Sequence, residues 1–187
     1  MHSQLLRWTV VATALLGAAT LQSCARDEPQ QSAMTTNAAG MNRVEVIGFV
    51  FEWEVAGSDL NVQISAPTTG WVAIGFNPTR AMQDADMKFG FVTDAGVEVA
   101  DHIGTSPITH DFDTAQGGRR DLSNVSGVEV DGRTTLSFTM PLDSGDPTDS
   151  VLTPGAQHTI IFAWGGDGAD DYTARHVERG TFIVPAL

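Results

Sequence analysis

From residue 43 onward, apolar and polar positions alternate in short runs closed by Gly, Pro, Asn or Asp. No stretch there holds a 3.6-residue apolar period for three turns. A period of two marks strands with one buried face, and many short strands with such punctuation indicate a sandwich or barrel. The pattern predicts strands over 44–55 (broken near Gly48), 60–66, 71–76, 86–93 and 97–101, then 127–130, 134–140, 158–164 and 180–184. Asp131-Gly132 joins two runs as a hairpin turn, because both residue types accept positive φ, and Asp94-Ala95-Gly96 makes another. Residues 102–125 are polar and poor in strand signals. They read as one long loop, a length that in a compact β domain marks function or a crossover.

The beginning of the chain follows another pattern. Residues 1–7 carry Arg7 and no acid, and an apolar run over 8–21 follows. That run is shorter than the roughly 20 residues a membrane-spanning helix needs; with its basic flank it reads as a secretory signal peptide over 1–23. Leu21-Gln22-Ser23-Cys24 resembles the lipobox of bacterial lipoproteins. The resemblance implies a diacylglycerol thioether on Cys24, cleavage just before it, and a second acyl chain that would make the anchor stable. Cys24 is the single cysteine of the chain, so neither a disulfide framework nor a thiolate zinc site is available. Residues 24–42 are small and polar, a lipidated cysteine and flexible spacer. Residues 43–187 are long enough for one core.

Charge narrows the partners. From Cys24 onward, 9 Lys and Arg stand against 23 Asp and Glu, a balance of −14 with histidine neutral. Nucleic acid and anionic lipid head groups are therefore poor partners, and a basic soluble protein, or simply a salty environment, fits better.

The familiar catalytic patterns are absent: there is no G-x-S-x-G elbow, phosphate-binding glycine loop or H-E-x-x-H pair. The acid-rich stretches SGDPTDS (144–150) and GDGADD (166–171) lack the ligand spacing of a calcium loop with its closing Glu and read as solvated turns. With no C-x-x-C-H, any haem must be held without covalent attachment. Axial donors for such a group are available in His102, His110, His158 and His176, and in Met82, Met87 and Met140. His102 and His110 fall in the expected long loop, His158 follows a Pro-Gly turn and reads as a surface residue, and Met87 reads as packing.

Gly70-Trp71-Val72-Ala73-Ile74-Gly75-Phe76-Asn77, followed by Met82-Gln83-Asp84-Ala85-Asp86-Met87, resembles the DOMON domain. Phe89-Gly90-Phe91-Val92-Thr93-Asp94, Val99-Ala100-Asp101, the Pro107 and Asp111 stretch, and Phe138 to Leu142 continue in the family order. Tyr172, His176 and Arg179-Gly180 close it. The resemblance spans essentially all of 43–187. It implies an all-β, immunoglobulin-like antiparallel β-sandwich, of a kind that in some members binds b-type haem through one Met and one His and in others lacks haem.

On that resemblance Met82 and His176 take the positions of the axial ligands, although Thr173-Ala174-Arg175 intervene where many relatives place the histidine directly after the tyrosine. It further implies that Arg175 or Arg179 pairs with a haem propionate, and that Trp71, Phe76, Phe89 and Phe91 wall the pocket. A haem with both axial places filled suits one-electron transfer and not oxygen activation. The expectation is therefore a lipid-anchored carrier of non-covalent haem b on the periplasmic or outer side of a bacterial membrane, working with a redox partner protein and not as a catalyst. The alternative is a haem-free carbohydrate-binding or protein-interaction module, for which an exposed Trp53 or Trp164 beside acids would speak.

Overall fold

The computed structural model describes residues 30, 31 and 33–187; the expected signal peptide and Cys24 lie outside the described residues. Thirteen strands are present among them. They are β1 (Gln30–Gln31), β2 (Thr35–Thr36), β3 (Asn42–Val46), β4 (Phe49–Ala56), β5 (Asp59–Ala66), β6 (Val72–Phe76) and β7 (Asp86–Thr93). There follow β8 (Gly96–Ser106), β9 (Thr109–Phe112), β10 (Ser123–Val130), β11 (Arg133–Pro141), β12 (His158–Gly165) and β13 (His176–Val184). One sheet runs β1-β13-β12-β6-β7-β8-β9 and the other β10-β11-β5-β4-β3-β2. Every pairing is antiparallel except the two-residue contact of β1 with β13.

The alternation that predicted the strands is the alternation that buries them. β11 exposes every second residue and sinks Thr134, Leu136, Phe138 and Met140. Their partners between the sheets include Phe49, Phe51, Trp53, Ile64, Ile74, Phe76, Ile160 and Phe182. Phe49 stacks on Phe162 at 4.5 Å between ring centroids. Tight hairpins set the register: Ile47-Gly48 (φ 46° and 95°) between β3 and β4, and Asp131-Gly132 (φ 52° and 71°) between β10 and β11. Two positive φ values in succession belong to the turn whose twist matches flanking strands.

Three features depart from the sequence reading. The segment expected as a loop over 102–125 is partly sheet: β8 continues to Ser106, and β9 returns along it before a single 3-10 turn at Asp113–Gln116. His158 is buried, with its ring held by Asn77 and by the backbone of Thr153, because the strand it opens points it inward. The 144–150 turn is only partly solvated: Gly145 and Pro147 are exposed, but Asp146 is buried and the Asp149 side chain nearly so. In addition, β1 and β2 fall inside the segment read as spacer.

β6 explains the rest of the architecture. All five of its residues are buried, which strand alternation allows only when both sheet faces are covered. Val72, Ile74 and Phe76 face the core, while Ala73 and the preceding Trp71 face the other way, into a second apolar cluster.

Candidate functional site

That second cluster lies on the outer face of the larger sheet. Trp71, Ala73, Phe89 and Phe91 form its floor, and Ala163, Ala169, Tyr172 and Ala174 pack against it. Trp71 stacks on Phe89 at 4.3 Å, while Tyr172, from the segment joining β12 to β13, sits 5.2 Å from Phe89 and 5.1 Å from Phe91. The alanines keep the floor low. Gly165 does the same beside Trp71, where any side chain would run into the indole.

Two histidines complete this platform. His102 on β8 faces His110 on β9, their Nδ1 atoms 3.1 Å apart. Rings surround His102 on several sides: Phe112 at 4.4 Å, Tyr172 at 5.2 Å and Phe89 at 5.8 Å. Burial pushes His102 down to about 4, with His110 adding to the effect, and burial lowers His110 as well. Both rings are therefore neutral at ordinary pH. One Nδ1 donates to the other, and the Nε2 of His102 is left buried with no partner. If His102 is the donor, that Nε2 presents a lone pair, which is what a metal ligand requires. Met87 lies directly across from His102 in the β7–β8 register and is buried. A cavity of about 390 Å³ opens at the margin, between Tyr172, Phe112 and Arg120.

The residues expected from sequence are distributed unevenly over this site. Trp71, Phe89 and Phe91 are on the platform. Phe76 is not, because it faces the core against Phe51. Met82 is half-buried in the β6–β7 loop. That loop is fixed by hydrogen bonds between Asp84 and Gly104 (2.8 Å) and between Gly104 and Ala85 (2.9 Å), and the Met82 carbonyl lies so close over Gly104 that no side chain fits there. His176 is exposed at the start of β13, paired with Gly165. Arg175 and Arg179 are exposed too, Arg179 opposite Ala163 at the platform margin.

Met82 and His176 are not brought together. Gly104 and Ala85 share a row with Asn77 and Thr159, and Thr159 is six residues along β12 from Gly165. Six steps of a strand measure about 20 Å. The sequence offered His102 and His110 as donors but placed them in a loop, because a polar run containing Pro107 hid the β8–β9 hairpin that pairs them. The i, i+8 spacing of two histidines about such a turn was the available signal. Trp53 and Trp164 are both buried, so the exposed tryptophan that would favour a sugar-binding rim is not found at either position.

The family sequence model of the DOMON domain matches residues 48–165. The chain belongs to the DOMON domain family. Among curated proteins it is 26% identical over 134 residues to MOXD1 homolog 2 of Drosophila melanogaster, covering 72% of this chain and 17% of that protein. To the human DOMON domain-containing protein FRRS1L it is 26% identical over 126 residues, covering 65% and 40%. The matched part is thus well under half of either relative. Among solved structures, the cytochrome domain of Myriococcum thermophilum cellobiose dehydrogenase superposes with a TM-score of 0.59 at 12% identity, covering 86% of this DOMON chain and 90% of that one. The cytochrome b domain of pyranose dehydrogenase from Coprinopsis cinerea gives 0.58 at 11% identity, covering 82% and 87%. At such identities the likeness is one of fold. Among the described residues no helix is long and apolar enough to cross a membrane.

Proposed function

We propose that this DOMON protein is a lipid-anchored, extracytoplasmic carrier of haem b that passes single electrons to and from a partner protein and turns over no substrate. The observation that carries the proposal is the outer-face platform: a flat aromatic floor kept clear by alanines, with thioethers and neutral imidazoles at its edges and a buried imidazole nitrogen that has no partner. Two solved structures of the same fold are cytochrome domains of other proteins. Haem b held by a thioether and an imidazole would supply a one-electron couple.

Met82 and His176 hold the family positions for the axial donors. For them to act as a pair, the segment 166–175 has to carry His176 across the platform and lift Tyr172 off it. His102 is the imidazole already on the platform, its Nε2 buried among the rings of Phe89, Phe112 and Tyr172. Arg175 and Arg179, exposed at the margin, are the available cations for propionates. The strongly acidic mature chain favours a basic partner, with association weakening as salt rises, and Cys24 supplies the anchor.

The test is an absorption spectrum of the protein expressed with haem supplied, before and after dithionite. Sharp low-spin b-type bands are expected, lost in Met82→Ala. Their loss in His176→Ala assigns the imidazole to His176, and their retention there with loss in His102→Ala assigns it to His102. A colourless, folded protein that takes up no added haem overturns the proposal.

A further inference from the structure

At one end of the sandwich, six carboxylates gather around the inner face of β7 and β8. Asp86 and Asp101 are on those strands, Asp113 is in the 3-10 turn, Asp121 precedes β10, and Asp146 and Asp149 come from the loop between β11 and β12. Lys88 is the buried cation among them. Its Nζ donates to Asp86 Oδ1 at 2.5 Å and to Asp101 Oδ1, and lies 3.8 Å from Asp149 Oδ1. The second oxygens of Asp86 and Asp101 accept backbone N–H groups of Ser150 and Asp121. This part of the cluster is internally compensated.

The rest is compensated only in part: Asp146 Oδ1 accepts from the Thr148 N–H and hydroxyl and Asp149 Oδ2 from the Ser144 hydroxyl. Asp113 is 1% exposed, yet neither of its oxygens receives a hydrogen bond. The neighbouring hydroxyl, Thr148, donates to Asp146 instead, at 2.7 Å. Asp113 Oδ2 and Thr148 Oγ1 crowd together over Gly118, where no side chain would fit, so the carboxylate points at the 143–150 loop. Asp121 Oδ2 and Asp149 Oδ1 are also buried without hydrogen bonds. One oxygen each from Asp121, Asp146 and Asp149 lies within 4.8 Å of the others. The nearest cation to Asp121 and Asp146 is Arg119, at 3.7 Å and 4.0 Å, and its side chain is 61% exposed. It offers a water-screened charge to groups that are not in water.

Carboxylates buried without partners are unfavourable unless a counter-charge joins them. Donors that are all oxygen and mostly anionic select a hard divalent ion over zinc or copper. Oxygens bound to one Ca²⁺ at about 2.4 Å stand at most about 4.8 Å apart, and one oxygen each of Asp121, Asp146 and Asp149 falls within that limit. We infer that Asp113, Asp121, Asp146 and Asp149 form a binding site for one Ca²⁺ ion. The ion would tie the 3-10 turn and the segment before β10 to the β11–β12 loop, closing this end of the sandwich. The inference does not rest on haem binding.

The experiment takes the full chain, strips it with EDTA, and titrates CaCl2 by calorimetry while thermal unfolding is followed by circular dichroism. The expected result is one saturable site per chain and a Tm that climbs with Ca²⁺, as binding to the native state alone requires. Asp113→Asn and Asp146→Asn should each weaken the site by roughly tenfold or more. The Tm of Asp113→Asn in EDTA should be no lower than that of the unaltered chain, because an uncompensated charge has gone. Asp94→Asn, in the β7–β8 turn, should bind as the unaltered chain does. Absence of saturable binding and of any Tm shift up to about 10 mM, above the range of extracellular calcium modules, overturns the inference. Unaltered binding in the two Asn variants overturns it as well.

Discussion

Asp101 and His102 are neighbours on β8, both almost wholly buried, and they face opposite sides of the same sheet. His102 enters a dry aromatic platform with His110 as its polar company. Asp101 enters a gap between the sheets where the Lys88 ammonium awaits it. On the platform, burial strips the charge from the histidine. Between the sheets, burial pushes Asp101 up to about 7, against the pull of Lys88, while its acidic neighbours hold Lys88 firmly protonated. Desolvation opposes charge in both regions. What separates them is whether the packed element supplies an opposite charge.

The largest way to break this contrast is Lys88→Met, which keeps the volume and removes the ammonium. Losing one partner of a buried ion network typically destabilises by about 3–5 kcal/mol, and that loss is expected in urea unfolding at neutral pH. A loss below about 1 kcal/mol would mean that the acids are neutral without Lys88, and the contrast would fall. On the other face Phe89→Ala should remove about 3 kcal/mol, because it deletes the ring against which Trp71, His110 and Tyr172 pack. The Phe89→Ala loss should be nearly independent of salt, unlike a change in an exposed ion pair.

The same two regions show what was legible in the sequence. β4 to β8 and β10 to β13 announced themselves through alternation and turn chemistry, since local pattern and tertiary packing agree there. The Gly70–Phe76 run carried the family resemblance and with it the sandwich. The β8–β9 hairpin stayed hidden because Thr105, Ser106 and Thr109 spend their hydroxyls on one another at its tip, leaving no apolar period to read. Burial of Asp146 and Asp149 was equally out of reach. The cations they approach, Lys88 for Asp149 and Arg119 for Asp146, lie far earlier in the chain, and nothing local distinguishes SGDPTDS from a solvated turn. The expected pairing of Met82 with His176 came from family positions alone, and strand register sets their stretches of backbone well apart.

A smaller effect separates the two regions by pH. His102 has a folded pKa of about 4, below the usual histidine value of about 6.5. Its contribution to stability is therefore complete above about 6.5 and lost as pH falls toward 4. Asp101 is raised to about 7, above an ordinary 3.8, so its contribution is complete below about 3.8 and lost as pH rises toward 7. Over the shared window the two slopes oppose. Urea midpoints in EDTA at pH 4, 5.5 and 7 should show the unaltered chain gaining less on acidification than His102→Phe. Asp101→Asn should lose more on acidification than the unaltered chain. Parallel profiles for all three proteins would show that neither group titrates as its burial dictates.

The smallest expected effect is that of His102→Phe at neutral pH, and its sign is what matters. The substitution removes a buried, unpartnered nitrogen and adds a ring to a box already made of Phe89, Phe112 and Tyr172. Replacing an unsatisfied polar group by an apolar one of similar shape is neutral or stabilising, whereas a satisfied one would be missed. His110 loses its Nδ1 partner but is only half-buried, so water can replace it. The variant should therefore be more stable than the unaltered chain by up to about 1 kcal/mol. If instead it is less stable by about 2 kcal/mol, the Nε2 of His102 has a partner in solution. Stabilisation combined with loss of the haem spectrum would mark His102 as a residue retained for function at the expense of stability, as exposed and strained functional groups commonly are.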